Sequence, residues 1–322
     1  MKIVILSVFF LNFYYHSVAQ STLLTQQLTQ LYTEEKLAGC STIGIAGNTI
    51  GYENYFGQRD IARNLPVNEH TLYRVASVSK SFTAAALLKL YEQNLFKLDD
   101  DVSDYIGFAL RNPAFPLDKI TFRMLLNHTS SVQDGTGYSD FLNATSSTNP
   151  PAISSLFLTT GTFYTTNMFR TEKPGTYFNY SNVSFGLLGT LIEKISNQRF
   201  DIFVRQHILF PLNSTGSFNI DDLADSINNV AVLYRKSGNN WMPQVDNYKG
   251  IPPTPRNYSS YIIGSNGLVF GPQGSLRINA KGMAAFLLMI GNNGLYQNTR
   301  ILNDSTARLM RSTQWNYTNN IS

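Results

Sequence analysis

The chain has 322 residues, of which 43% are apolar and 14% are charged, and its formal net charge is +4. This composition supplies enough apolar side chains for a large core and excludes an intrinsically disordered chain. The positive charge is not gathered into runs of lysine or arginine, so no nucleic-acid partner is expected.

The first segment, residues 1–19, has the pattern of a secretory signal peptide. Lys2 supplies the positive end, Ile3–Tyr15 the apolar stretch, and Ser17-Val18-Ala19 a small-residue cleavage site. A membrane-spanning helix needs about 20 apolar residues, which is more than this stretch provides, so an uncleaved anchor is the weaker alternative. We predict a secreted protein, or one at the cell surface, without a stable membrane span.

Export determines how the cysteine and the glycosylation sequons are interpreted. Cys40 is the only cysteine, so no internal disulfide can form, and a small buried side chain is expected there. In a eukaryotic secretory pathway, sequons on exposed loops would carry glycans. The Asn-x-Ser/Thr sequons are at Asn127, Asn143, Asn179, Asn182, Asn213, Asn257, Asn303, Asn316 and Asn320.

The mature chain begins with a predicted helix and a predicted hairpin. Leu24, Leu28, Leu31 and Tyr32 have helical spacing. The runs STIGIAG and TIGYENYFGQRD are rich in β-branched and aromatic residues and meet near Gly47, which predicts two strands joined by a tight turn.

The middle of the chain is predicted to be mainly helical. Residues 131–178 and 228–262 show little periodicity, and residues 267–274 are interpreted as a strand and turn. Further helices are expected at residues 77–96, within 98–106 and 120–130, at Val183–Ser196, at Phe200–Leu209 before Pro211, and over INAKGMAAFLLMIGNNG, with a cap near Gly294.

At the start of the helix at residues 77–96, Ser77 and Lys80 are three residues apart. On a helix this spacing places the two side chains on one face. Serine needs an adjacent base to act as a nucleophile, and a desolvated lysine can serve as one. The first N–H groups of the helix also favour negative charge near Ser77. The alternative is a capping serine beside a solvated lysine.

Other reaction centres are not indicated. The chain has no Gly-x-Ser-x-Gly elbow, no Gly-rich phosphate loop and no His/Cys/Asp cluster with metal-ligand spacing. His70, His128 and His207 are far apart in sequence, and a structural role is expected for each. We therefore predict neither a metal nor an organic cofactor.

Several segments in order resemble the serine β-lactamase-related superfamily, in the class C branch of β-lactamases, D-alanyl-D-alanine carboxypeptidases, D-aminopeptidases and esterases. The resemblance covers roughly residues 24–315. The segments are RVASVSKSFTA, LDDDVSDYI, ITFRMLLNHTSS, KPGTYFNYSNVSFGLLGTLIEKIS and FPLNSTG.

The resemblance implies an α+β fold of the β-lactamase/transpeptidase type. In this fold a mainly helical lobe packs on an antiparallel sheet that is flanked by helices. One domain, residues 20–322, is expected, with the sheet lobe at about 20–75 and 265–322 and the helical lobe at about 76–264.

The resemblance also implies roles for individual residues. Ser77 would be the nucleophile and Lys80 its partner, while Tyr180-Ser181-Asn182 matches the Tyr-x-Asn motif. Tyr180 would be the general base and acid, and Asn182 would orient the substrate amide. Tyr-x-Asn recurs in this chain, and Tyr180 is selected because it follows Pro174-Gly175 and directly precedes an amphipathic helix, as in the family. The alternative is a core tyrosine and a helix-capping asparagine.

Two features depart from the family pattern. Ser131 stands where the family usually has glycine. A Lys/His-x-Gly motif is expected on a strand after the last helix, and Lys236-Ser237-Gly238 lies too early to be this motif. We therefore expect the closing strands to be absent, either because the chain is truncated or because something else covers the sheet edge. In the family this strand supplies one of the two N–H groups that bind the oxyanion, and Ser77 supplies the other. Loss of one such donor typically lowers the rate by about 10²–10³-fold.

These observations lead to two functional hypotheses. The first is a secreted serine hydrolase that forms an acyl-enzyme with a small-molecule or peptide-like substrate, an ester, amide or β-lactam. The alternative is a catalytically impaired glycoprotein or interaction module that retains the fold, in which a glycan on Asn182 would block the site. The first requires the side chains of Ser77, Lys80 and Tyr180 to converge in one largely dry cleft.

Overall fold

A helix and a β-hairpin are the first elements of the structure, as the sequence predicts. The computed structural model describes residues 21–317, so the predicted signal peptide at residues 1–19 and the sequon at Asn320 lie outside the described residues. Residues 21–34 are helical (α1). Strands β1 (Gly39–Ala46) and β2 (Thr49–Asp60) pair antiparallel, and β2 also pairs with β3 (Leu65–Pro66).

A second strand pair connects distant parts of the chain next to Ser77. Strand β4 (Tyr73–Arg74) pairs antiparallel with a strand about 200 residues later, Arg277–Ile278. Buried Asp246 lies between the arginines of this pair. Its carboxylate binds Arg277 through Nη2 at 2.6 Å and Nε at 3.2 Å, and the Nε of Arg74 lies 3.5 Å away. One carboxylate therefore ties both strands to the segment around residue 246.

Two long helices form the centre of the molecule. Helix α2 (Ser79–Glu92) follows a 3₁₀ turn at Ala76–Val78, so the helix predicted at residues 77–96 starts and ends slightly differently. Shorter helices follow at α3 (Ser103–Ile106), α4 (Phe122–Leu126) and α5 (Thr136–Ala144). Helix α6 (Asn182–Ser196) is buried on every side from Val183 to Glu193, as expected of a helix at the middle of a core.

The predicted helix at Phe200–Leu209 is present but changes its winding. It is α-helical as α7 (Phe200–Val204) and continues as a π-turn at Arg205–Leu209. Near the C-terminal end, helix α8 (Ala280–Gly291) ends before Gly294, whose φ of +87° confirms the predicted glycine turn.

The regions without periodicity contain elements that the sequence analysis did not predict. Helix α5 lies in the first region, and an antiparallel hairpin of β5 (Leu233–Ser237) and β6 (Asn240–Val245) lies in the second. The Arg277–Ile278 strand is β7, and after α8 come β8 (Leu295–Tyr296), β9 (Thr299–Arg300) and α9 (Asp304–Arg311).

The predicted strand at residues 267–274 is wrong. Gly267–Phe270 forms a 3₁₀ turn, because the side chain of Asn266 accepts from the amide of Leu268 and starts a turn there. The turn packs against α6 so closely that a Cβ on Gly267 would lie 2.4 Å from the backbone of Gly189. A short apolar run such as GLVF is compatible with a strand or with a helical turn, and here packing against α6 selects the 3₁₀ turn.

Among the described residues, β1 pairs only with β2, which leaves its other edge unpaired. Beside that edge runs an apolar groove of about 420 Å³ between β1 and α8, lined by Ile43, Ile45, Met283 and Leu287. Cys40 also lines the groove and is partly exposed, so the expectation of a buried thiol is wrong. Desolvation nevertheless raises the pKa of this thiol.

No helix in the described part of the chain could span a bilayer.

Candidate active site

Ser77 lies at the junction between a strand and a helix. It follows β4 and occupies the 3₁₀ turn that leads into α2, with its side chain exposed. The preceding Ala76 has a φ of +44°, an uncommon value for a residue with a Cβ. Lys80 lies one turn further on and is only 7% exposed. The sequence spacing thus places an exposed hydroxyl above a buried amine.

The structure brings three predicted side chains together. Lys80 Nζ lies 3.3 Å from Ser77 Oγ, and Tyr180 Oη lies 2.7 Å from the same oxygen. Lys80 Nζ also lies 4.8 Å from the centre of the Tyr180 ring. The hydroxyl of Ser77 is therefore in hydrogen-bond reach of both an amine and a phenol.

Three acceptors surround the amine of Lys80. Besides Ser77 Oγ, the Nζ donates to Asn182 Oδ1 at 2.9 Å and to the carbonyl oxygen of Gln273 at 2.7 Å. An ammonium group has three N–H donors and no acceptor, so this arrangement uses all of them. The contact with Gln273 also attaches α2 to the segment that leads into β7.

The Tyr-x-Asn segment lies at the N-terminus of α6. Ser181 is the N-cap, and its hydroxyl accepts from the amide of Ser184. The fourth predicted residue, Asn182, begins the helix and reaches Lys80 through Oδ1. Asn182 is thus the first residue of the helix and a partner of the amine, and the alternative of a helix-capping asparagine is wrong, because Ser181 is the cap.

Two residues that were not predicted as site residues hold this segment. His128 Nδ1 accepts from the backbone N–H of Ser181 at 3.2 Å, and its ring centre is 4.6 Å from that of Tyr180. Burial and the charge of Lys80 lower the pKa of His128 to about 4, so the ring is neutral at pH 7 and can accept this bond.

The carboxylate of Asp134 accepts from the side chain and backbone of Asn182. Both residues lie in or just after the segment ITFRMLLNHTSS, which offered the only sequence signal for them.

The site is open to solvent, whereas the sequence predicts a largely dry cleft. Lys80 is buried, but Ser77 is exposed and 45% of the Tyr180 side chain is accessible. Only the amine is therefore shielded from solvent, and the oxygens that would react are accessible to a substrate.

The other sequence candidates lie in different environments. Lys236 lies on β5, where its Nζ is 5.9 Å from the ring of Trp241. Ser131 has a φ of +64°, which is the left-handed conformation that explains why glycine is usual at this position. His70 lies beside Glu69, and His207 packs on Phe203. Within residues 21–317, no group of three or more His, Cys, Asp or Glu side chains could hold a metal ion.

Comparison with known proteins gives a consistent result. A family model described as Beta-lactamase matches residues 24–320. Penicillin-binding protein 4* of Bacillus subtilis (strain 168) is 28% identical over 60% of this chain and 41% of its own length. Protein flp of Staphylococcus aureus (strain MRSA252) is 28% identical over 56% of this chain and 34% of its own. The chain thus spans less than half the length of these curated relatives.

Solved structures share the fold. An octameric penicillin-binding protein homologue from Pyrococcus abyssi superposes with a TM-score of 0.68 at 23% identity, covering 91% of this chain and 60% of that one. EstCE1, a hydrolase with promiscuous acyltransferase activity, superposes with a TM-score of 0.64 at 20% identity, covering 93% of this chain and 78% of that one. The α+β fold is therefore of the penicillin-binding-protein and β-lactamase type.

Proposed function

The chain belongs to the beta-lactamase family of serine hydrolases, and on that premise we propose that it hydrolyses an ester or amide through an acyl-enzyme on Ser77. The observation that supports this most directly is the 2.7 Å contact between Ser77 Oγ and Tyr180 Oη beside the buried amine of Lys80. A nucleophile, a proton acceptor and a cation within reach of one another are what acyl transfer requires.

In the acylation step, Ser77 Oγ attacks the substrate carbonyl carbon while its proton passes to Tyr180 Oη, which acts as the general base in the role that the family resemblance implies. The ammonium of Lys80 lies against both groups and stabilises the negative charge as it moves between them. The tetrahedral intermediate then collapses, and the Tyr180 hydroxyl gives the proton to the leaving group. In deacylation, a water gives a proton to Tyr180 and attacks the acyl carbon of the ester on Ser77. The tetrahedral intermediate then collapses, the carboxylic acid leaves, and Tyr180 returns the proton to Ser77 Oγ, which restores the free enzyme.

Asn182 has one donor left for a substrate. Its Oδ1 accepts from Lys80, and its Nδ2 donates to Asp134 at 2.8 Å. A side-chain amide carries two N–H groups, so the second remains free to donate to a substrate carbonyl. This agrees with the role in orienting the substrate that the family resemblance implies.

Exposed apolar side chains next to the reacting residues support a substrate with an apolar group. Val78 and Phe178 are about half exposed beside Ser77 and Tyr180 in the chain, and such surfaces favour apolar groups on the substrate. We therefore propose esters and amides with an apolar acyl group as the substrates, with β-lactams as the second choice.

One argument for the non-catalytic alternative, besides the missing Lys/His-x-Gly motif, is a glycan at Asn182. A sugar would be attached to Nδ2, and this atom is bound to Asp134 Oδ2 at the start of a buried helix. Attachment would break that bond and place a bulky group at the mouth of the cleft. This contact favours a hydrolase over a glycosylated binding module.

Export is part of the proposal. It is supported by the charged, apolar and small-residue order of residues 1–19. Secreted protein would begin at Gln20, and N-terminal sequencing of the chain recovered from the culture medium checks this. A chain that retains residues 1–19 in the cell fraction would contradict export.

The test of the proposed activity is covalent labelling with a fluorophosphonate probe. The wild-type chain should gain one probe mass on Ser77 and should hydrolyse p-nitrophenyl acetate. The Ser77→Ala variant should lose both, whereas Ser237→Ala, which removes an exposed hydroxyl from the β5–β6 hairpin, should retain both. An unlabelled and inactive wild-type chain with a cooperative unfolding transition would contradict the proposal.

A further inference from the structure

The carboxylate of Asp134 is held by four donors from the start of α6. Its Oδ1 accepts from Ser181 Oγ at 3.3 Å and from the amide of Val183 at 2.9 Å. Its Oδ2 accepts from the amide of Asn182 at 3.1 Å and from Asn182 Nδ2 at 2.8 Å. We propose that Asp134 is a positioning residue, which fixes the orientation of the Asn182 side chain and, through it, the amine of Lys80; this rests on the proposed function.

A side-chain amide is nearly symmetric in shape. The oxygen and nitrogen of asparagine have nearly the same shape, so packing alone does not decide which of them faces a neighbour. The ammonium of Lys80 can only donate, and an ionised carboxylate can only accept. With a donor on one side and an acceptor on the other, Asn182 has a single satisfied orientation, in which Oδ1 faces Lys80 and Nδ2 faces Asp134.

The orientation of Asn182 affects the nucleophile Ser77 through the amine of Lys80. Lys80 Nζ is held by Asn182 Oδ1 and by the Gln273 carbonyl, and these contacts place it 3.3 Å from Ser77 Oγ. Had the amide of Asn182 turned round, its N–H groups would point at the ammonium and displace it. Asp134 has no hydrogen bond to Ser77, Lys80 or Tyr180 within the described part of the chain, so it acts through Asn182.

A role as a helix cap does not by itself account for these contacts. Ser181 is already the N-cap of α6, and its hydroxyl accepts from Ser184. The backbone contacts of Asp134 to Asn182 and Val183 add to that cap, but the bond to Asn182 Nδ2 does not satisfy any helix N–H. That bond therefore fixes the orientation of the Asn182 side chain and does not contribute to capping the helix.

The decisive variant is Asp134→Asn, which keeps the shape but replaces one acceptor with a donor. If the new NH₂ group faces Asn182, two donors meet, and if it faces Val183, it meets a backbone N–H. Asn182 is then released, and the displacement of Lys80 lowers kcat by about 10²-fold, since misplacement by about 1 Å has this effect. KM should rise as well, because the released Asn182 no longer presents its free N–H to the substrate carbonyl. The matched control is Asp140→Asn, an exposed carboxylate on α5.

Two measurements separate positioning from folding. The first is kcat per active site for p-nitrophenyl acetate, with sites counted by fluorophosphonate titration, so that unfolded molecules do not contribute. The second is a crystal structure of Asp134→Asn, in which Asn182 should have left Lys80. The proposal is overturned if kcat per site stays within about twofold of wild type, or if it falls while Asn182 and Lys80 keep their contact.

The crystal structure of Asp134→Asn tests the positioning role even if the proposed function fails. If the wild-type chain is neither labelled nor active, the hydrolase assignment fails, and the structure of the variant alone decides the positioning claim. An unchanged contact between Asn182 and Lys80 then overturns it, and a rotated Asn182 side chain supports it.

Discussion

The hydroxyl of Tyr180 has a single hydrogen-bond partner in the described part of the chain, and that partner is Ser77. Its ring has other contacts, with the amine of Lys80 and with the ring of His128. The oxygen and the ring can therefore be separated by mutation, because removing the oxygen leaves the packing of the ring intact.

Tyr180→Phe should lower the rate of ester hydrolysis by about 10²–10⁴-fold, the usual contribution of a positioned proton acceptor. Its melting temperature should stay close to that of wild type, because 45% of the side chain is exposed. Active-site-titrated kinetics and thermal unfolding measure the two effects. Tyr177→Phe is the control, since Tyr177 is also exposed but its ring lies beneath Arg170. Equal losses in the two variants would argue against Tyr180 as the base.

The residues of the site were predictable to different degrees. Ser77 and Lys80 are neighbours on one helical turn, so their spacing alone indicated the contact. Tyr180 and Asn182 came only from the family resemblance, because Tyr-x-Asn occurs several times in the chain. Asp134 and His128 were missed as site residues, since a single aspartate or histidine has no local pattern that reveals what it contacts.

At the scale of elements, a buried carboxylate anchors α6 to its neighbours. Glu193 is fully buried and accepts from the amide of Phe200 at 2.9 Å, from Tyr261 Oη at 2.6 Å and from the amide of Gly264 at 2.8 Å. These bonds join α6 to the start of α7 and to the loop before the 3₁₀ turn at Gly267. Desolvation nevertheless dominates and raises the pKa of Glu193 from 4.5 to about 7.

This shift gives stability a pH dependence of known sign. Between about pH 4.5 and 7 the unfolded chain has already lost the Glu193 proton while the folded chain retains it, so the free energy of unfolding falls as pH rises. Over that window the loss is about 3 kcal/mol, and above pH 7 it is complete. Glu193→Gln does not titrate and should lack this slope.

Urea unfolding of wild type and Glu193→Gln at several pH values from 4.5 to 8 measures the difference between the two slopes. Glu35→Gln, at an exposed position next to α1, should remain parallel to wild type throughout. If the free energy of unfolding of Glu193→Gln also changes with pH in parallel with that of wild type, the Glu193 carboxyl group is ionised in the folded chain across the whole range.

At the scale of the whole molecule, the Asp246 cluster joins segments that are far apart in the chain. Asp246 and Arg277 are both buried, at 7% and 5% exposure, and Arg74 shares the same carboxylate. Removing this carboxylate leaves the buried guanidinium of Arg277 and the partly buried guanidinium of Arg74 without a compensating charge. The cost of such a change is larger than the net contribution of the ion pair itself.

Asp246→Ala should therefore lower the free energy of unfolding by about 3–5 kcal/mol. Because β4 leads into the turn that carries Ser77, labelling by the fluorophosphonate should also slow down. Denaturant unfolding and labelling kinetics measure these effects. The control is Asp304→Ala, which breaks an exposed pair with Arg308 on α9 and should change little. A small effect at Asp246 would mean that water reaches the two arginines.

Part of this protein was determined by short-range sequence alone. The hairpin of β1 and β2, the long helices and the adjacency of Ser77 and Lys80 all follow from side-chain periodicity within a few residues, which reports the local backbone. The 3₁₀ turn at Gly267, the β5–β6 hairpin and the helix α5 depend on what packs against them, and their sequences fit more than one structure.

Only the tertiary structure decided how the site is completed. Ser77 and Tyr180 are 103 residues apart, and Lys80 and Gln273 are separated by 193. Such contacts form because burying α2 against α6 lowers the free energy of the core as a whole. A local sequence pattern does not encode this total free energy. The sequence therefore specified the nucleophile and its amine, while the packing of the core set the phenol, the amide and the carboxylate around them.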